Sequence, residues 1–177
     1  FIPDPMLDIC SLRDINGIWS VDINKYNHLY WKDKFPANFT EEEICHEYLD
    51  GMQWVLSYYT KDVPNWKWHY KYHYAPPASI LSKHFDTFKF TKHPISIPST
   101  PYQQLLCVLP PKSSQLIPKP LCNLLTDESS PLKKYCPDTF EIDMHGKKRE
   151  WEGIVLLPIV NFNVMKKCYF NLISNIN

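Results

Sequence analysis

Sixteen prolines stand against four glycines in 177 residues, and no other feature limits the fold as strongly. Proline fixes φ and lacks a backbone donor, so it stops helices and interrupts strand ladders. Scarce glycine removes the usual residue of tight hairpins and of phosphate-cradling loops. The expected fold is therefore mainly α: an irregular helical domain with long Pro- and aromatic-rich loops and one small β-hairpin. Hydrophobic residues make up 44% and charged residues 21%, which supports a packed core and excludes a wholly disordered chain. No run of about 18 apolar residues occurs, so no membrane span is expected.

Lys25–Phe35 reads as a helix stopped by Pro36. The clearest helix starts at Thr40, because Thr40 and Glu43 form a capping box and Glu41, Glu42 and Glu43 suit a helix N-terminus. Ile44, Tyr48, Met52, Val55, Leu56 and Tyr59 then recur at spacings of three and four as one apolar stripe. Gly51 lies within this helix, where it costs about 1 kcal/mol relative to Ala. Another element is expected to cross there. A second capping box, Thr100 with Gln103, opens a helix that ends at Pro110, and Pro118–Leu125 reads as a third short helix. Phe140–Trp151 is expected to form a hairpin turning at His145–Gly146. Gly153–Val160 is expected to be buried, and Val164–Ile173 to be the last helix. Residues 1–24 read as an irregular linker or docking segment, and residues 25–177 as the helical region.

Charge is unevenly distributed beneath a net charge of zero. Residues 1–60 carry four basic groups against ten acids, residues 61–119 eight against two, and residues 120–177 seven of each. The basic middle third contains Val63–Pro77 (VPNWKWHYKYHYAPP), bracketed by prolines and fitting neither helix nor strand. Rings interleaved with cations suit single-stranded nucleic acid, since cations meet phosphates and rings stack on bases. The alternative for the whole segment is a solvated Lys face beside an aromatic core. Each of Trp66, Trp68, Tyr70, Tyr72 and Tyr74 can stack on RNA or pack beneath the Trp54 helix, and both roles stay open. Lys67 and Lys71 are candidates for phosphate contact, as is a histidine of this segment. Trp151, beside Lys147, Lys148 and Arg149, is expected in the core, with an RNA-facing role as the alternative.

No metal site is expected. Glu41, Glu42, Glu43 and Glu47 sit in the first turns of a capped helix, which accounts for them. Asp138, Glu141 and Asp143 lie on the expected hairpin. His69 and His73 are four apart, but metal ligation at that spacing needs a helix, which Pro64 and Pro76 deny. The six cysteines form no close pair, so reduced thiols and an intracellular compartment are expected. The chain begins at Phe1, not Met, and is expected to be a piece of a longer protein.

Four collinear blocks carry a family resemblance. Gly51–Pro76 (GMQWVLSYYTKDVPNWKWHYKYHYAP) resembles the second conserved region of Xrn/Rat-type 5′→3′ exoribonucleases, with its G-[ML]-x-W-[VI]-L-x-Y-Y-Y helix and P-S-W-x-W-Y-Y-P-[YF]-H-Y-A-P loop. Pro101–Pro118 is similar to the family's P-F-x-Q-L-x-x-V-L-P segment. Leu124–Val160 resembles its L-M-T through W-x-[GA]-[VI] stretch, and Tyr30–Gly51 fits the helical lead-in. The chain departs from the pattern at Asn65 (usually Ser), His69 (usually Tyr), Lys71 (usually Pro) and His145 (usually Asn). GMQ and YHYAP resemble the cytoplasmic Xrn type more than the nuclear Rat type. The resemblance implies degradation of 5′-monophosphorylated RNA, with Mg²⁺ bound by carboxylates of an N-terminal catalytic region that is not in this chain. It implies no catalytic or metal residue here, and partners in single-stranded RNA and that catalytic region. It implies RNA contact by Trp66, Lys67, Trp68, Tyr70, Lys71, His73 and Tyr74, in the cytoplasm or alternatively the nucleus. The competing reading is a non-catalytic RNA-binding or scaffold protein that kept the fold.

Overall fold

Asp4 opens the described chain by capping a helix: its carboxylate accepts from Leu7 N at 3.0 Å, and Pro5 fills the first helical position. The computed structural model describes residues 4–174. The elements in order are α1 (Pro5–Cys10), β1 (Ser11–Arg13), β2 (Trp19–Val21), α2 (Ile23–Lys34), α3 (Glu41–Thr60), α4 (Ala78–Leu81), α5 (Pro101–Val108), α6 (Lys119–Thr126), β3 (Ile142–Asp143), β4 (Ile154–Val155) and α7 (Phe162–Ser174). The fold is mainly helical, as expected, with two short strand pairs. By contact the chain divides into two compact units: Phe1–Ile95 with Asp143–Ile154, and Ser96–Ile142 with Val155–Asn177.

The first unit corrects the irregular reading of the opening residues. Residues 5–21 form α1 and an antiparallel hairpin with Ser11 opposite Val21 and Arg13 opposite Trp19. The missed signal is Asn16–Gly17, a turn pair whose Gly17 adopts φ +79°. Asp14 Oδ1 holds the turn by accepting from Asn16 N and Ile18 N, at 2.9 and 2.8 Å. Asp22 then caps α2 through Lys25 N, and α1 packs on α2.

Helix α3 starts as read. Glu43 N donates to Thr40 Oγ1 (3.1 Å) and Thr40 N donates to Glu43 Oε2 (2.8 Å), a reciprocal cap. Of its apolar stripe only Ile44 is buried and Tyr48 partly so. Ile44, Cys45, Leu49 and Asp50 are buried, while Met52, Val55, Leu56 and Tyr59 are exposed, Tyr59 at 79%. The elements of the first unit cover α3 as far as its middle turns and leave the remaining face to solvent. An extended strap beyond α4 is pinned along another face of α3. Gln53 closes two hydrogen bonds with the backbone of Thr91, at 2.6 and 2.9 Å. His46 Nε2 meets Thr87 Oγ1 at 3.0 Å, and His93 Nε2 lies 3.3 Å from the buried Asp50 carboxylate.

The second unit has an aliphatic core of Leu106, Ile117, Leu121, Leu125, Leu132 and Met165, supplied by α5, α6, α7 and the turns between them. Pro101 occupies the first turn of α5, and Gln103 Oε1 accepts from Thr100 N at 3.2 Å, as the Thr100 cap predicts.

Two expectations fail around the second strand pair. The turn does fall at His145–Gly146, where Lys147 N donates to Met144 O and Gly146 has φ +68°. The returning strand is Ile154–Val155, because Glu150–Glu152 winds into a 3-10 turn. Gly153–Val160 is not buried throughout. Val155, Pro158 and Ile159 are exposed and the other five residues are only partly buried, because an apolar run of this length need not be covered on every side.

Candidate nucleic-acid interface

Residues 63–77 carry no acid and alternate rings with Lys and His. From Lys67 to Tyr74 the structure sorts them by parity. Trp68, Tyr70, Tyr72 and Tyr74 are partly buried, whereas Lys67, His69, Lys71 and His73 are exposed. This period-two burial resembles that of a strand, although the segment pairs with no strand among the described residues.

Each inward ring has a fixed seat. Asn65 begins the segment with an Asx turn, its Oδ1 accepting from Lys67 N at 2.8 Å, and its carbonyl accepts from Trp54 Nε1 at 2.9 Å. Trp68 then crosses α3 at Gly51 and stacks on Trp54, centroids 5.9 Å apart and 21° between planes. A Cβ built on Gly51 would lie 2.7 Å from Trp68 Cη2, so glycine is what admits the ring. The crossing element expected from Gly51 is therefore this loop. Tyr70 meets Tyr48 of α3 edge to face and donates its hydroxyl to Tyr74 O at 2.8 Å. Tyr72 packs edge-on against Phe35 and Phe39.

Tyr74 ends the row in a polar anchor. Its hydroxyl donates to Asp143 Oδ2 at 2.6 Å, and Lys34 Nζ sits 5.0 Å above its ring while pairing with the same carboxylate. His145 N donates to Asp143 Oδ1 at 2.8 Å. Burial opposes ionisation of Asp143, but the hydrogen bonds from Lys34, Tyr74 and His145 outweigh it and hold the carboxyl at about 2. Burial, then the bond to Asp143, pushes the Tyr74 phenol well above its ordinary range. A parallel anchor joins His145 Nε2 to Asp4 Oδ1 (2.7 Å) and Tyr26 to Asp4 Oδ2 (2.9 Å). Burial, then Asp4, raises Tyr26 to about 12.

The seven candidate residues thus fall into two sets. Trp68, Tyr70 and Tyr74 are seated in the first unit. Trp66, 52% exposed, and Lys67, Lys71 and His73 face outward. Lys71 is held by Glu47 of α3, Nζ to Oε2 at 2.9 Å. Trp151 is 74% exposed with the Arg149 guanidinium 4.8 Å from its ring, which corrects the core expectation. The Glu150–Glu152 turn, closed by Lys148 N donating to Glu152 Oε2, carries the ring on the surface.

Residues 22–173 match the family model of the Xrn1 helical domain. The chain belongs to that family. The 5′-3′ exoribonuclease 1 of Saccharomyces cerevisiae is 37% identical over 155 residues, which is 85% of this chain and 10% of that protein. The 5′-3′ exoribonuclease 2 of Cryptococcus neoformans is 41% identical over 143 residues, 78% of this chain and 12% of that protein. That of Schizosaccharomyces pombe is 40% identical over 142 residues, covering 78% and 14%. The chain therefore spans 10–14% of the length of these three relatives. Helix α1 and the β1–β2 hairpin precede the matched residues. Within this Xrn1 helical domain, no group of three or more His, Cys, Asp or Glu among the described residues could hold a metal ion. The Mg²⁺ that the resemblance implies for a complete enzyme finds no fitting ligand set among the described residues. No helix of the described residues is long and apolar enough to cross a membrane. Sequence places Asp143 on the expected hairpin, but nothing in it pairs that carboxylate with Lys34, 109 positions away.

Proposed function

We propose that this chain is the helical region of a processive 5′→3′ exoribonuclease that degrades 5′-monophosphorylated RNA. On this reading it walls the RNA channel, while an N-terminal catalytic region outside this chain binds Mg²⁺ and cuts. The observation that carries the reading is the combination of family membership with an acid-free segment whose inward rings are seated and whose Trp66 and cations face outward. An exposed ring held in place stacks on a base at about 1–3 kcal/mol, because little ordering opposes the contact. The reading places the protein in the cytoplasm, with the nucleus as the alternative.

The chain alone is expected to be inactive, because its acids serve caps, ion pairs and surface. Incubated with 5′-monophosphorylated RNA and Mg²⁺ it should leave the RNA intact, and the full-length protein should shorten it from the 5′ end. Shortening by the chain alone would place a metal site here and overturn the reading. An inactive full-length protein that still binds RNA would favour the scaffold alternative.

A further inference from the structure

Four outward residues of the aromatic segment, Lys67, His69, Lys71 and His73, are polar or cationic, and no acid interrupts them between Val63 and Pro77. The inward rings that alternate with them cannot swing out to meet a base. Trp68 is wedged on Gly51 and Trp54, Tyr70 is bonded to Tyr74 O, and Tyr74 is bonded to Asp143. Only Trp66, at the start of the row, presents an exposed ring. A row with cations, imidazoles and one ring is poorly equipped to read bases and well equipped to meet phosphates.

One acid reaches the row from outside. A groove of about 670 Å³ beside α3 is lined by Glu43, Glu47, Asp50 and Lys71 among others. Glu43 is committed to the Thr40 cap, and Asp50 Oδ1 lies 3.3 Å from His93 Nε2 without a hydrogen bond between them. Glu47 pairs with Lys71 through Oε2, while its Oε1 is buried without a hydrogen-bond partner among the described residues. Glu47 therefore aims the Lys71 ammonium and at the same time spends part of its charge.

We propose that the edge Lys67–His69–Lys71–His73 grips the sugar–phosphate backbone of a single RNA strand without regard to sequence, and that Glu47 weakens the grip by holding Lys71. The proposal rests on the reading that this domain contacts RNA. It makes Lys67 the strong phosphate contact, since Lys67 has no acid partner among the described residues, and Lys71 a restrained one. A lysine meets phosphate as a point charge and displaces counterions, so its contribution appears in the salt dependence of binding.

The test uses the full-length protein in metal-free buffer, with 5′-monophosphorylated oligouridylate and oligoadenylate as probes across a salt series. Lys67→Ala should weaken both probes by a similar factor and flatten the slope of log affinity against log salt by about 0.7. Glu47→Gln keeps the side-chain size and should do the reverse, tightening both probes and steepening the slope. A gain of this kind does not arise from damage to the fold. If Glu47→Gln does not fold, Lys67→Glu replaces it and should weaken both probes more than Lys67→Ala. Unchanged slopes in these variants overturn the edge proposal. If Trp66→Ala then still weakens binding, the RNA reading stands without the edge; if Trp66→Ala also leaves binding unchanged, both fail.

Discussion

In the second unit, Leu106, Ile117, Leu121, Leu125, Leu132 and Met165 meet as one aliphatic core, whereas in the first unit the interior along residues 68–74 is a row of rings with polar tips. Aliphatic packing rewards filled volume and is indifferent to direction. A tyrosine whose hydroxyl must reach one acceptor is fixed in direction as well as in place. The first unit thus uses its rings to set the orientation of a segment that forms no helix and joins no sheet. Its alternate side chains then face outward in a defined order.

The comparison is sharpest at the largest expected effects. Trp68→Ala should cost about 3–5 kcal/mol and Leu125→Ala about 2–5 kcal/mol, read from denaturant midpoints. A ring that merely decorated the surface would cost far less than Leu125, and that result would dissolve the contrast. Gly51→Val should cost about 1–3 kcal/mol, because its Cβ would enter the space of the Trp68 ring. An unchanged melting temperature would mean that the ring yields freely. Smaller still is the effect of acid. Asp143 titrates at about 2 in the fold against roughly 3.9 unfolded. Its contribution is therefore complete above about pH 4 and lost as pH falls towards 2. Asp143→Asn should remove that component of the acid transition, and a superimposable pH–stability profile would show that the Tyr74 anchor does no work. Least of all, Lys67→Ala should leave stability within about 0.5 kcal/mol, since Lys67 faces solvent.

Sequence reveals what local chemistry decides. The Thr40 cap, the Thr100–Gln103 box and the crossing at Gly51 are each carried by residues within one turn of one another or by one costly glycine. The Asn16–Gly17 turn was equally local and equally visible. What stayed hidden depends on distance along the chain. Tyr74 finds Asp143 across 69 positions, and His145 finds Asp4 across 141, and no periodicity links them. The parity of the aromatic row was written in its alternation, but which parity faces inward depends on where Gly51 and Tyr48 lie on α3. The four exposed residues of the α3 stripe misled for the opposite reason: helical spacing shows that a face is apolar, not that something covers it.

The central claim is that inward rings hold this domain while the outward face of the same segment meets RNA. Trp66 and Trp68 lie two residues apart on opposite sides of that divide. The most direct measurement takes Trp66→Ala and Trp68→Ala in the full-length protein and records thermal stability and single-turnover decay of 5′-monophosphorylated RNA for each. The account predicts that Trp66→Ala melts like the parent and decays RNA more slowly, while Trp68→Ala loses stability. If both variants unfold, or if Trp66→Ala keeps parental decay, the segment is structural on both faces and the account is contradicted.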